Sequence, residues 1–246
     1  MLFLRKVRQK SMQKNRFTSY LLYAFGEILL VVLGILIAVQ FNNQNNEWKL
    51  DRIEELSLIR LSEDLQSDID RFDFLITRLS ERIELCDSTL QLISTQESMG
   101  DRLAIIEIHQ INSFLVEGNT TTYEEMINTG RLYSMKNQDL RSQIIDYYRT
   151  VSRWSKYIED DYEHLSGLMT HPRYNDYWVI QDQLWGDVKI STIKYPWLLE
   201  KYSREMKDIE GLIAQADDIF RSSSGNIAFL KREAEGLLQN LPPSNE

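Results

Sequence analysis

Few residues in this sequence could do chemistry, and the most unusual is a carboxylate inside an apolar run. Glu27 lies within residues 20–41. An acid in such a run can carry protons, or it can stay neutral or snorkel and bond across a helix contact. Asp161-x-x-His164 has helix-face ligand spacing, but a ferritin-like site needs two such pairs with Glu partners. No metal site is therefore predicted, and His109 and His171 add none.

The familiar catalytic and cofactor motifs are missing from the sequence. It contains no HExxH, CxxC, GxGxxG, Walker or GxSxG pattern. The sequence predicts no enzyme and no cofactor; an enzyme with an unrecognised helical site would carry a bound ligand or metal. Cys86 is the sole cysteine, which excludes an intramolecular disulfide. Its place on an apolar stripe predicts a buried thiol, although parallel self-pairing of its helix would bring two copies of Cys86 together.

Glu27 must be positioned by a membrane-spanning helix. The 22 residues of 20–41 extend about 33 Å at helical rise, which matches the hydrocarbon thickness of a bilayer. No small-x-small cleavage site follows, so an uncleaved anchor is expected. The segment 1–19 contains six basic residues and no acid, which predicts a cytoplasmic N-terminus and export of the remaining chain.

One face of this helix is suited to contact with another helix. It carries Ala24, Glu27, Val31, Gly34 and Ala38, which are spaced three or four residues apart. Gly34-x-x-x-Ala38 is a small-xxx-small pattern, which lets two helices approach closely. We expect this helix-association face to contact a second copy of the chain or the helix of a partner membrane protein.

The segment 42–246 has the composition of an acidic helical domain. It holds 22 of the 28 basic and 36 of the 37 acidic residues, a net charge of −14 that disfavours nucleic-acid binding. Ten Gly and four Pro in the whole chain favour long helices. Two heptad stripes are expected to form bundle core. The first comprises Leu58, Leu61, Leu65, Ile69, Phe72, Ile76, Leu79, Ile83, Cys86, Leu90 and Ile93. The second comprises Leu199, Tyr202, Met206, Ile209, Ile213, Ala216, Phe220, Ser223, Ile227, Leu230, Ala234, Leu237 and Leu241.

These stripes predict an all-α fold, in which one N-terminal transmembrane helix continues into an elongated antiparallel helical bundle with long heptad-patterned helices. The first helix is expected to run to about residue 95, with Gly100 as its end. The last is expected to start at Pro196, continue through Ser222-Ser223-Ser224-Gly225 and stop at Pro242. The predicted domains are a basic tail, 1–19, the transmembrane helix, 20–41, and the bundle, 42–246.

The connecting region is predicted to contain shorter helices. Residues 101–116 form one, and a break follows at Gly118-Asn119. Thr122 and Glu125 form a capping box, and Gly130 ends that helix. Asn137 caps a third long helix that runs to His171-Pro172. Residues 172–195 contain short helices or a small hairpin.

Two segments resemble a known family. FLRKVRQKSMQKNRFTSYLLYAFGEILLVVLGILIAVQFNNQNNEW is similar to the N-terminal signature of an uncharacterised single-pass membrane family common in Bacteroidota. TTTYEEMINTGRLYSMKNQDLRSQIIDYY is similar to that family's TYEE…G segment. Phe25 and Gln44 depart from the signature. The resemblance implies a Gram-negative inner membrane with a periplasmic domain, and it singles out Glu27, Tyr123, Glu124, Glu125 and Gly130.

The sequence thus favours a membrane-anchored periplasmic interaction, sensory or scaffold module, with the lipid bilayer and either a second copy or a partner membrane protein as its contacts. The alternative is an accessory subunit of a proton-driven or channel complex that uses Glu27.

Overall fold

The computed structural model describes residues 16–108 and 116–242, so His109 and residues 1–15 of the predicted basic tail (1–19) lie outside it. Within these two ranges the chain forms seven α-helices and no β-strand, which confirms the all-α prediction. The helices are α1 (Arg16–Thr95), α2 (Met99–Ile108), α3 (Thr121–Asn128), α4 (Arg131–Ser134), α5 (Gln138–Met169), α6 (Asn175–Trp185) and α7 (Arg204–Leu238).

The chain divides into two units, Met1–Leu56 and Ser57–Glu246. Of the described helices, α1 is the one that is long and apolar enough to cross a membrane. Its most apolar stretch, in the first unit, has a mean hydropathy of 2.4, and none of that stretch is buried. Large apolar side chains such as Leu30 and Phe41 are 71% and 69% exposed. A helix with apolar side chains on every side is typical of a membrane span.

The second unit has its core between α1, α5 and α7. The first stripe is buried or half-buried throughout its length, from Leu58 to Ile93, which confirms its prediction as core. Residues later in α1 and in α5 contact residues earlier along α7, so α7 runs antiparallel to both helices. The pairs that show this are Asp73–Lys231, Asp87–Arg221, Gln143–Asn240 and Tyr162–Phe220.

Helix α7 starts later than the sequence predicts. Pro196–Leu199 is a separate 3-10 turn, and the helix begins after Ser203, whose hydroxyl accepts the Met206 N–H at 3.2 Å. Arg102 donates from Nε to the carbonyl oxygen of Leu198 at 2.6 Å, which satisfies a backbone acceptor outside the helix. The helix runs through the serine run, with Ser223 fully buried as predicted. It ends at Leu238, before Pro242.

The break after α1 also differs from the prediction. Gly100 lies inside α2, and α1 ends at Thr95. The Asp101 carboxylate accepts the N–H groups of Glu97 and Ser98 at 2.9 and 2.8 Å, so the acid that opens α2 stabilises the turn. The predicted helix over 101–116 corresponds to α2, and residues 109–115 lie outside the description. In residues 172–195 the structure has α6 and one 3-10 turn, Pro172–Tyr174, so short helices replace the hairpin alternative.

Candidate functional site

A buried polar cluster lies where the segment 116–122 meets α1 and α5. Asp68 accepts the Asn119 N–H at 2.7 Å and the Tyr147 hydroxyl at 2.9 Å. Asp64, one turn earlier, accepts the Asn119 side-chain amide at 2.8 Å and the Thr122 N–H at 3.0 Å. We call these five residues the docking network. Since each of the four carboxylate oxygens accepts one bond from the protein itself, the network fastens the segment to α1.

The N-terminus of α3 is capped by Asp64 of α1 and by Asn119, whose side-chain oxygen accepts the Thr121 N–H at 3.3 Å. The Thr122 N–H is one of the free donors of this helix end, and Asp64 accepts it. The Thr120 hydroxyl donates to the Glu124 carboxylate at 2.8 Å. The predicted capping box of Thr122 and Glu125 is therefore wrong, because a side chain of a neighbouring helix accepts the Thr122 N–H.

Glu125 instead links three helices. It accepts two bonds from Arg60 of α1, at 2.8 and 3.3 Å, and one from Arg131 of α4, at 2.5 Å. The hydrogen bond from Arg60, followed by the charges of both guanidinium groups, lowers the pKa of the Glu125 carboxyl below its usual value. The short helices α3 and α4 are thus tied to α1 by a charge cluster at the edge of the docking network.

Aromatic rings cover the network on one side. Tyr123 stacks on Tyr148 with ring centroids 4.1 Å apart, and Tyr148 meets the edge of Tyr147 at 5.0 Å. The Tyr148 hydroxyl donates to the Asn119 carbonyl oxygen at 3.1 Å. Burial raises the pKa of Asp68, and it also raises the pKa of Tyr147 and Tyr148. The phenols therefore remain donors at physiological pH.

Two glycines shape the segment. A Cβ on Gly118 would lie 2.8 Å from Val151 Cγ1 and 3.3 Å from an oxygen of Asp68, so the close approach to α5 requires glycine. Gly130 has φ 73° and follows the last turn of α3, with its N–H donating to the Ile127 carbonyl at 3.0 Å. This confirms Gly130 as the predicted helix end.

The family-motif residues meet at this site to different degrees. Tyr123 and Glu125 border the docking network, Gly130 ends α3, and Glu124 bonds within its own turn. Sequence reasoning missed Asp64 and Asp68, although one signal was available. Both acids are spaced one turn apart and lie beside the Leu61, Leu65 and Ile69 stripe, where an acid needs partners.

The other predicted residues lie elsewhere. On the helix-association face Glu27, Val31, Gly34 and Ala38 are exposed, Ala24 is half-buried, and a Cβ on Gly34 would meet nothing within 4 Å. Cys86 is fully buried, and burial raises the pKa of its thiol to about 12. The thiol is a core group as predicted, and the chain's own bundle packs around it. Within the described ranges no three His, Cys, Asp or Glu residues are placed to hold a metal ion.

Fold and site together define an all-α protein with one N-terminal helix that can span a membrane and a bundle fastened by a buried polar network. The chain belongs to DUF6090, a family of unknown function, whose model matches residues 27–165. The match includes the apolar helix from Glu27 onwards and the whole docking network, and it stops within α5 before α7 begins. No curated protein and no solved structure matches the chain.

Proposed function

We propose that this protein is a non-enzymatic interaction or sensory module, anchored in the inner membrane of a Gram-negative bacterium. Its N-terminus is cytoplasmic and its bundle is periplasmic. One observation carries the proposal: α1 leaves its apolar side chains exposed in 28–41, whereas the same helix buries a continuous stripe from Leu58 to Ile93. The first part has the surface of a lipid-exposed helix, and the second has the surface of a bundle helix.

The internal bonding of the docking network supports a role without catalysis. Each of the four oxygens of Asp64 and Asp68 accepts a hydrogen bond from a donor of the chain, so both acids hold parts of the bundle together. A general base must reach a proton of its substrate, and these carboxylates are committed to backbone, amide and phenol groups. The network stabilises a shape that partners can recognise.

Orientation is tested by labelling introduced cysteines in intact cells with a membrane-impermeant maleimide. Cys86 is fully buried, so it contributes little background. Ser98→Cys, at an exposed position, is expected to react once the outer membrane is permeabilised. Ser11→Cys is expected to react after the inner membrane is also opened. The reverse order of reactivity would contradict the proposed orientation.

The helix-association face is proposed to contact a second copy or a partner membrane helix. Val31→Cys lies on that face, and Leu33→Cys, about 200° around the helix, is its matched control. Oxidation in native membranes is expected to crosslink Val31→Cys and to leave Leu33→Cys monomeric. A product of twice the chain mass indicates self-association, and any other mass identifies a partner by mass spectrometry. Equal crosslinking of both variants, or of neither, would contradict this face.

A second candidate is an accessory subunit of a proton-driven or channel complex. The exposure of the Glu27 carboxylate within the apolar part of α1 favours it, because such a group normally serves a partner or a pathway. The test is proton flux into liposomes that contain the complex purified from native membranes. Glu27→Gln is expected to abolish flux and keep assembly, and Glu47→Gln, outside the span, is expected to change neither. Unchanged flux in Glu27→Gln removes this candidate.

A further inference from the structure

A cleft outside the docking network lies between α5 and α7. It is lined by Arg153, Trp154, Tyr157, Ser222 and Asn226. The Trp154 and Tyr157 rings meet edge to face with centroids 5.7 Å apart, and Phe229 meets the other side of Trp154 at 6.0 Å. The aromatic side chains give the cleft an apolar wall, and its remaining lining is polar.

Two residues that line the cleft carry hydrogen-bond donors that the bundle does not use. Trp154 Nε1 and Asn226 Nδ2 are buried, and within the described part of the chain neither has an acceptor. Buried polar atoms nearly always have a partner, because an unpaired one costs about 1–3 kcal/mol. Both of these atoms are donors, since an indole nitrogen cannot accept and an amide nitrogen does not. Their natural complement is a group that supplies acceptors.

The charge of Arg153, which lines the cleft, also favours a ligand with acceptor groups. Arg153 is exposed, and it makes no ion pair with any residue that the structure describes. One turn earlier on the same helix, Arg149 is paired with Asp146 at 3.1 Å. In a domain with a net negative charge, a guanidinium without an acidic neighbour next to two buried donors favours an anionic ligand.

We propose that this cleft binds a small carboxylate carried on an apolar or aromatic group. The carboxylate has two acceptor oxygens for the Trp154 and Asn226 donors, and Arg153 supplies the opposite charge. The apolar part of the ligand lies against Trp154 and Tyr157. A phosphate dianion fits less well, because the lining has a single cation and a large apolar share. This binding site is independent of the anchoring function proposed above.

The test uses the full-length protein in mild detergent, labelled with 5-fluorotryptophan and titrated with phenylacetate. The chain has five tryptophans, and Trp154→Phe assigns the signal of Trp154. A saturable shift of that signal is expected with phenylacetate. Phenylacetamide, which keeps the ring and loses the charge, and inorganic phosphate, which keeps the charge and loses the ring, are each expected to bind at least about 10-fold more weakly.

The variants separate a site from unspecific partitioning. Arg153→Gln is expected to weaken phenylacetate binding about 10-fold or more, whereas Arg149→Gln, its matched control on the same helix, is expected to leave it unchanged. The inference is overturned if the Trp154 signal does not saturate, which would mean that water alone serves the two donors. It is also overturned if the amide binds as well as the acid, or if the shift is confined to Trp48 and so reports uptake into the detergent.

Discussion

Removal of the Asp68 carboxylate is the sharpest test of the docking network. Asp68 is 2% exposed and accepts the Asn119 N–H and the Tyr147 hydroxyl. Asp68→Ala leaves both donors buried without an acceptor, at about 1–3 kcal/mol each, so we expect a loss of roughly 2–5 kcal/mol in the free energy of unfolding. Asp70→Ala, an exposed acid on the same helix, is the control and is expected to stay within about 0.5 kcal/mol of wild type.

The assay is urea unfolding of the full chain in mild detergent, followed by tryptophan fluorescence. Tyr147→Phe removes one donor to the carboxylate and is expected to cost about 1.5–3 kcal/mol alone. Because the two groups share a hydrogen bond, the double variant should lose less than the sum of the single variants, with a coupling of at least about 0.5 kcal/mol. Additive losses, or an Asp68→Ala variant as stable as Asp70→Ala, would refute the reasoning.

Dependence on pH gives the same prediction a second readout. Burial raises the pKa of Asp68 above its usual value of 3.8, so the folded state binds the proton more tightly than the unfolded state. This contribution to stability is fully present below 3.8 and is lost as the pH rises through the folded-state pKa. The stability advantage of wild type over Asp68→Asn should therefore grow as the pH falls from 7 towards 3.8. If this advantage shrinks on acidification, the hydrogen bonds to Asp68 lower its pKa by more than burial raises it.

Three further predictions concern the segment around α3. Gly130→Ala is expected to lower the free energy of unfolding by about 1–2 kcal/mol, because φ is 73° although a Cβ there would meet no atom within 4 Å. Gly211→Ala is the control: a Cβ there, inside α7, would also meet no atom, so this variant should be more stable by about 0.4–1 kcal/mol. Urea unfolding compares the two variants. Gly118→Ala should lower the free energy of unfolding by about 1–3 kcal/mol in the same assay, because its Cβ would lie 2.8 Å from Val151 Cγ1. No change in stability would mean that α5 shifts to accommodate the new Cβ. Glu125→Gln should lower the urea midpoint at pH 7. Because Arg60 and Arg131 lower the Glu125 pKa, its contribution is present above the usual 4.5 and is lost as the pH falls through the folded-state pKa, so the difference should fade in acid.

Much of the fold could be predicted from periodicity. The stripe from Leu58 to Ile93, the cap at Asn137 and the end of α3 at Gly130 are local features, and the structure confirms each of them. Each depends on one helix and its neighbours along the chain. Two predictions were wrong for different reasons. The N-terminus of α3 is capped by Asp64, which is 58 residues from Thr122 in sequence. The start of α7 moves from Pro196 to Ser203, a cap of its own helix, because Pro196 belongs to a separate 3-10 turn.

The sequence by itself determined the all-α class, the apolar helix and which side of each long helix is buried, because apolar spacing along one helix does not depend on what packs against it. Leu199 and Tyr202, predicted as core of the last helix, are exposed because they precede α7. Tertiary structure alone decided where the polar groups go. Asp64 and Asp68 lie more than fifty residues before the segment they hold, and Trp154 and Asn226 line one cleft from different helices. A hydrogen bond needs atoms within about 3 Å, and no spacing along the chain specifies which distant donor will reach a given acceptor.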